Sequence, residues 1–284
     1  MDMITLNNGV KMPILGYGTY QVTDPKECKN SVLTAIRCGY RLIDTAQAYG
    51  NEVYVGAGIH SAINEGIVSR KDLFVTSKVW FHSFETEDCR KSLDESLAKT
   101  GLDYLDMVLL HWPFGNVYAA WRALEEYQAA GKIRAIGVSN MDADRLIDLI
   151  SFNKVKPQVN QIETHLYCQR IDDKKWLDKL GIAQQAYAPL GQGHANEMFA
   201  EPAVKKLAEK YHKTPAQIAL RFLVQRGIAV IPKSVHEDRM RENIDIFDFS
   251  LTDDEMETLR TLDRVKPMIG DAEDPEKVEF AMTW

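Results

Sequence analysis

Apolar residues recur along this chain with two periods. Short apolar runs occupy residues 15–18, 41–44, 73–78, 106–111, 135–139, 158–162, 182–187 and 228–231. They have strand length and are bounded by polar or turn-forming residues, so eight strands are predicted. Between them lie stretches such as CKNSVLTAIRCG, TEDCRKSLDESLAKTG, VYAAWRALEEYQAAG and EPAVKKLAEKYHKT. Their apolar positions fall three and four apart, the spacing of one face of a helix. Punctuation agrees. Thr86 precedes a helix with Glu87 and Asp88 in its first turn, and Gly39, Gly101 and Gly131 stand where helices should end.

Strand–helix alternation implies parallel strands joined by crossovers. Eight such units in a chain of this length fit a closed barrel better than an open sheet. An open dinucleotide-binding sheet would want G-x-G-x-x-G after its first strand. The nearest string, Gly56-Ala57-Gly58, lies within an expected helix and carries Ser61 at its sixth position. The predicted fold is therefore α/β, an eight-stranded parallel β/α (TIM) barrel. The opening segment ITLNNGVKMPIL alternates around Asn8-Gly9, which predicts an N-terminal β-hairpin. Residues 265–284 show no clear period and read as a tail over the barrel mouth. No linker-like composition divides the chain, so residues 1–284 are expected to form a single domain.

Composition changes this picture little. The 284 residues are 45% hydrophobic and 26% charged, ordinary for a globular enzyme. The net charge of −7 argues against a nucleic-acid partner. No leader-like segment and no long apolar span is evident, so a soluble cytoplasmic protein is expected. Cys28, Cys38, Cys89 and Cys168 have neither redox nor zinc spacing, and no metal is expected.

The chemistry gathers at strand ends. Asp44 ends RLID, Lys78 ends LFVTSK and His111 ends DMVLLH, each about one β/α unit from the next, with Tyr49 shortly after Asp44. Working residues of such barrels project from the C-terminal strand ends. Each alone has a bland explanation: a cap, a solvated lysine, a satisfied core histidine. Together they suit one task. Lys78 could lower the phenol of Tyr49, Asp44 could hold Lys78 charged, and His111 could polarise a substrate oxygen. Protonating an oxygen as negative charge develops is what carbonyl reduction needs, with a cofactor supplying hydride.

At these residues the chain resembles the aldo-keto reductase family. GYRLIDTAQAYGNEVYVG (residues 39–56), IRAIGVSN (residues 133–140) and IPKSVHEDRMREN (residues 231–243) are similar to the family's three signatures, and the tripeptide HWP from His111 also matches. The resemblance runs from the hairpin through the eighth β/α unit. It implies a catalytic tetrad of Asp44, Tyr49, Lys78 and His111. It also implies that Ser139, Asn140 and Gln161 hold a nicotinamide carboxamide and that Tyr187 stacks on the ring. Leu190, Gly191 and Gly193 would lie near the pyrophosphate. Lys233, Ser234 and Arg239 would surround the adenosine 2′-phosphate, with Glu242 and Asn243 at the adenine. The residue types agree, since a lysine and a nearby arginine can collect a phosphate dianion and favour NADPH.

Tyr20, Trp80 and Trp112 follow strands where family members line the substrate pocket. Tyr20 stands where tryptophan is frequent, and Met141 replaces the usual aromatic after Ser-Asn. The short WPFGN loop suggests an open pocket like that of bacterial diketogluconate- and methylglyoxal-reducing members. The expected activity is NADPH-dependent reduction of aldehydes or ketones by a monomer, with Tyr49 as proton donor. Alternatives are a Schiff-base aldolase using Lys78, which Asp44 disfavours, and a metal-dependent hydrolase, for which the histidines are unclustered. A third is a regulatory barrel that binds cofactor with little catalysis.

Overall fold

The computed structural model describes residues 2–283. Strands β1 (Met3–Thr5) and β2 (Lys11–Pro13) form the antiparallel hairpin. Its turn closes as the Leu6 amide donates to Val10 O at 2.8 Å, with Gly9 at φ +85°, a conformation that favours glycine. Eight parallel strands follow in spatial order: β3 (Tyr17–Gly18), β4 (Leu42–Asp44), β5 (Phe74–Val79), β6 (Leu105–Leu110), β7 (Ile133–Ser139), β8 (Val159–Glu163), β9 (Ala183–Tyr187) and β10 (Ala229–Val230). The sheet curls until its edges meet. The Gly16 amide donates to Val230 O at 2.8 Å, and the Val230 amide to Ile14 O at 2.9 Å. Closure removes the sheet edges.

Helices α1 (Pro25–Arg37), α2 (Glu52–Asn64), α3 (Thr86–Thr100), α4 (Val117–Ala129), α5 (Ala143–Phe152) and α6 (Ile171–Leu180) wrap the outside between successive strands. Between β9 and β10 run α7 (Ala195–Ala200), α8 (Pro202–Tyr211) and α9 (Pro215–Gln225); α10 (Glu237–Ile244), α11 (Asp253–Arg260) and α12 (Pro275–Ala281) follow. The segment expected to be aperiodic thus contains α12, which Asp274 caps and Pro275 opens. Thr86 is the first helical residue of α3 rather than its cap. Gly56 and Gly58 are packing glycines. A Cβ on Gly56 would come within 2.3 Å of Thr100 O, and one on Gly58 within 2.7 Å of Lys29 O, so both let α2 approach its neighbours.

The hairpin seals the N-terminal end of the barrel. Asn7 Nδ2 donates to Pro157 O and Gly181 O, and Asn8 Nδ2 to Arg134 O, all at or just before strand starts. Buried Asp106 is paired with Arg70 at 2.8 Å and Arg134 at 2.6 Å, which satisfies its charge at the same end. The C-terminal strand ends stay open and border a cavity of about 820 Å³.

Candidate active site

Three barrel strands deliver the expected tetrad to that cavity. Asp44 is the last residue of β4, Lys78 lies in β5, and His111 follows β6. Tyr49 closes a short 3-10 turn, Gln47–Tyr49, which ends as Gly50 turns left-handed at φ +65°. Lys78 is fully buried, and its ammonium donates to Asp44 Oδ1 at 2.5 Å, Thr45 O at 2.9 Å and Tyr49 Oη at 3.3 Å. All three ammonium protons therefore have acceptors, which a buried cation requires. Asp44, Tyr49 and His111 face the cavity while Lys78 lies beneath them. The rings of Tyr49 and His111 meet edge to face at 5.7 Å.

The electrostatics correct one expectation. Burial pushes the Tyr49 phenol well above the usual tyrosine value, and the Asp44 carboxylate adds to the effect. Its face touches the cavity, but protein surrounds the ring, so the phenolate would be poorly solvated. Lys78 itself is pulled below the usual lysine value by burial, against the pull of Asp44. The shift of the phenol is thus upward, opposite in direction to the lowering expected from Lys78. Burial and then the Lys78 charge drive His111 well below the usual imidazole range, which favours the uncharged ring. Its Nδ1 is buried with no protein partner.

Behind the tetrad, Gln161 in β8 donates through Nε2 to Asp44 Oδ2 at 2.9 Å and Gln185 Oε1 at 2.7 Å. Ser139 Oγ donates to Gln161 O at 2.7 Å. Asn140 takes the left-handed conformation, φ +56°, which asparagine tolerates better than most residues. Its Nδ2 donates to Ser139 Oγ at 3.2 Å, and its Oδ1 accepts from Tyr187 Oη at 2.9 Å. Ser139, Asn140, Gln161 and Tyr187 thus form one connected wall of the cavity.

The remaining expected residues divide. Leu190 and Gly193 line the cavity, but Gly191 does not: at φ +71° it packs against the Met198 side chain, where a Cβ would come within 2.4 Å of Cε. Lys233, Ser234, Arg239, Glu242 and Asn243 line the far end. Glu242 already accepts from Thr214 Oγ1 at 2.6 Å. Tyr20, Trp80 and Trp112 border the catalytic end. Tyr20 lies 5.0 Å from the Tyr49 ring, Trp80 lies 5.2 Å from the His111 ring, and Trp112 stacks on Phe114.

Several lining residues carried no sequence signal as isolated positions. Gln192, Asn196 and Phe199 come from the segment around α7, and Ile269, Gly270, Lys277 and Phe280 from the tail. The Asp-Pro-Glu start of α12 was the signal available for the last two. Among the described residues, no group of three or more His, Cys, Asp or Glu is placed to hold a metal ion.

An Asp44–Lys78–Tyr49 chain and His111 stand together at the mouth of a closed barrel, and relatives of this chain are oxidoreductases. The Aldo/keto reductase family profile matches residues 14–264, and the chain belongs to that family. It is 44% identical over 280 residues to YtbE, an uncharacterised oxidoreductase of Bacillus subtilis, covering 97% of each chain. It is 41% identical over 264 residues to a glyoxal reductase of the same organism, covering 93% of each. A Bombyx mori aldo-keto reductase solved in complex with NADP superposes with a TM-score of 0.90 at 35% identity, over 95% of each chain.

Proposed function

We propose that this protein reduces small aldehydes or ketones to alcohols with NADPH, and that Tyr49 gives the proton. The carrying observation is the Asp44–Lys78–Tyr49 chain, which ends on the cavity face beside His111. A protonated phenol and a neutral imidazole can both donate hydrogen bonds to one carbonyl oxygen. Tyr49 completes transfer of its proton as that oxygen becomes an alkoxide. The Lys78 ammonium then steadies the phenolate, and Asp44 keeps Lys78 charged.

The residues present fit the cofactor. One cavity runs from Tyr49 to Arg239, and its volume lies in the range of ligand sites. At the far end Lys233 and Arg239 are exposed and line the cavity, so two cations face the space a 2′-phosphate would take. Gln161 has both amide protons engaged, so its oxygen is the group available to a carboxamide, beside the Ser139 and Asn140 side chains. Tyr187 would offer its ring face. When bound, the cofactor supplies the hydride.

The names of the glyoxal reductase and the NADP complex support the same chemistry. The proposal takes the whole chain as one domain and the enzyme as a cytoplasmic monomer, where its four unpaired thiols suit a reducing compartment. The test is loss of NADPH absorbance with methylglyoxal, aromatic aldehydes, sugars and keto acids. Turnover by the native protein that vanishes in Tyr49→Phe is expected. No turnover across the panel, or undiminished turnover in Tyr49→Phe, refutes it.

A further inference from the structure

Glu163 ends β8 at the cavity mouth and is fully buried. Its carboxylate accepts three consecutive backbone amides of the tail: Met268 N at 2.7 Å, Ile269 N at 3.0 Å and Gly270 N at 2.8 Å. His165 Nε2, also fully buried, lies 3.0 Å from Oε1. Three successive amides converging on one carboxylate are an anion-binding turn filled by a side chain over a hundred residues away. The tail arrives under constraint. The Arg264 guanidinium sits 3.5 Å over the Tyr167 ring and pairs with Glu197 of α7 at 2.6 Å. Val265 then takes φ +70°, an unfavourable conformation for a β-branched residue.

Held there, the tail becomes pocket wall. Ile269 and Gly270 line the cavity. Gly270 packs so closely that a Cβ would come within 2.4 Å of Tyr187 Oη and 3.2 Å of Trp112. The same anchor therefore fixes the tail against one residue of the proposed nicotinamide wall and one aromatic of the substrate end.

We propose that Glu163 is a positioning residue for substrate: by clamping the amides of residues 268–270 it holds the tail as the wall against which larger carbonyl substrates bind. This rests on the carbonyl-reductase function above. A compact substrate needs only the Tyr49–His111 end, whereas an aromatic aldehyde needs the wall. In Glu163→Gln the amide NH₂ would face backbone N–H groups, and at least one amide would lose its acceptor. Met268→Pro removes a donor and leaves Glu163 and the lining residues Ile269 and Gly270 intact.

The test compares native protein, Glu163→Gln and Met268→Pro on methylglyoxal and 4-nitrobenzaldehyde. NADPH affinity is read by fluorescence quenching, and tail exposure by limited proteolysis. Both variants should raise KM for the aromatic aldehyde about tenfold, as loss of a charge-assisted hydrogen bond implies, with kcat within about threefold. KM for methylglyoxal and NADPH affinity should change little, and cleavage within residues 265–283 should accelerate. Equal KM rises for both aldehydes, or weakened NADPH binding with unchanged KM, would overturn the proposal. Should Glu163→Gln not fold, Met268→Pro decides alone, and an unchanged aromatic KM there sinks it. Should the native protein reduce neither aldehyde, the carbonyl-reductase function is what fails. The clamp is then judged by proteolysis, where equal cleavage in variant and native protein overturns it.

Discussion

Gln161 reaches across the barrel to Asp44, its amide nitrogen donating to Oδ2 at 2.9 Å from a residue on the opposite side of the sheet. That bond satisfies the carboxylate oxygen that Lys78 does not take. In Gln161→Leu, buried Oδ2 would lose its partner. We expect a loss of about 1–3 kcal/mol in urea unfolding, with lower kcat as Lys78 loosens. Unchanged stability would mean that water replaces the amide.

Asp44 and Lys78 form an ion pair with almost no solvent access. Asp44→Asn leaves a buried ammonium without its counter-charge and should destabilise by about 3 kcal/mol. Lys78→Met should do similar harm through the stranded carboxylate. Combining Asp44→Asn with Lys78→Met should cost less than the two single losses summed, because each single change strands the other charge. Additive losses in denaturant titrations would contradict a coupled pair.

Arg239 and Lys233 face the far end of the cavity. Arg239→Ala should weaken NADPH binding about tenfold or more while leaving NADH nearly unchanged, the loss of one charge-assisted phosphate contact. Isothermal titration with both cofactors measures this. Equal weakening of both would move the phosphate elsewhere.

Glu255 supplies a pH-dependent part of stability away from the site. Burial would raise its carboxyl, but donors from Lys210 at 2.5 Å, Tyr211 at 2.6 Å and the Thr252 amide at 2.8 Å outweigh it and hold the group at about 2, against 4.5 when free. A depressed folded value stabilises above the unfolded value and is lost as pH falls through the folded one. Glu255→Gln should therefore destabilise by about 1 kcal/mol at pH 7, discounted for a partly solvated pair. The difference should shrink between pH 4.5 and 2. A difference independent of pH over that window would exclude the carboxylate as its source.

The barrel was readable because short strand-length runs alternate with helix-period stretches along the chain, and three of those runs lead directly to Asp44, Lys78 and His111. Asp44, Lys78 and His111 stand out for that reason, since a parallel sheet buries its middle and exposes its C-terminal ends. Tyr49 was readable only through its neighbours. The upward push on its phenol was not, because it depends on burial by residues from separate units. Gly191 carries its own packing constraint, a close approach to the Met198 side chain, which the sequence does not display. Glu163 gave no such signal, because three of its partners are backbone amides of the distant tail, and backbone amides carry no side-chain signature.

The hairpin beneath the barrel has a consequence for traffic. Its asparagines tie it to backbone carbonyls around the strand starts, and the large cavity opens at the opposite end of the barrel. The stretch around α7 and the tail form part of that cavity's border. Turnover can therefore be retuned at the door frame, by how firmly those borders are latched, while the tetrad stays as it is.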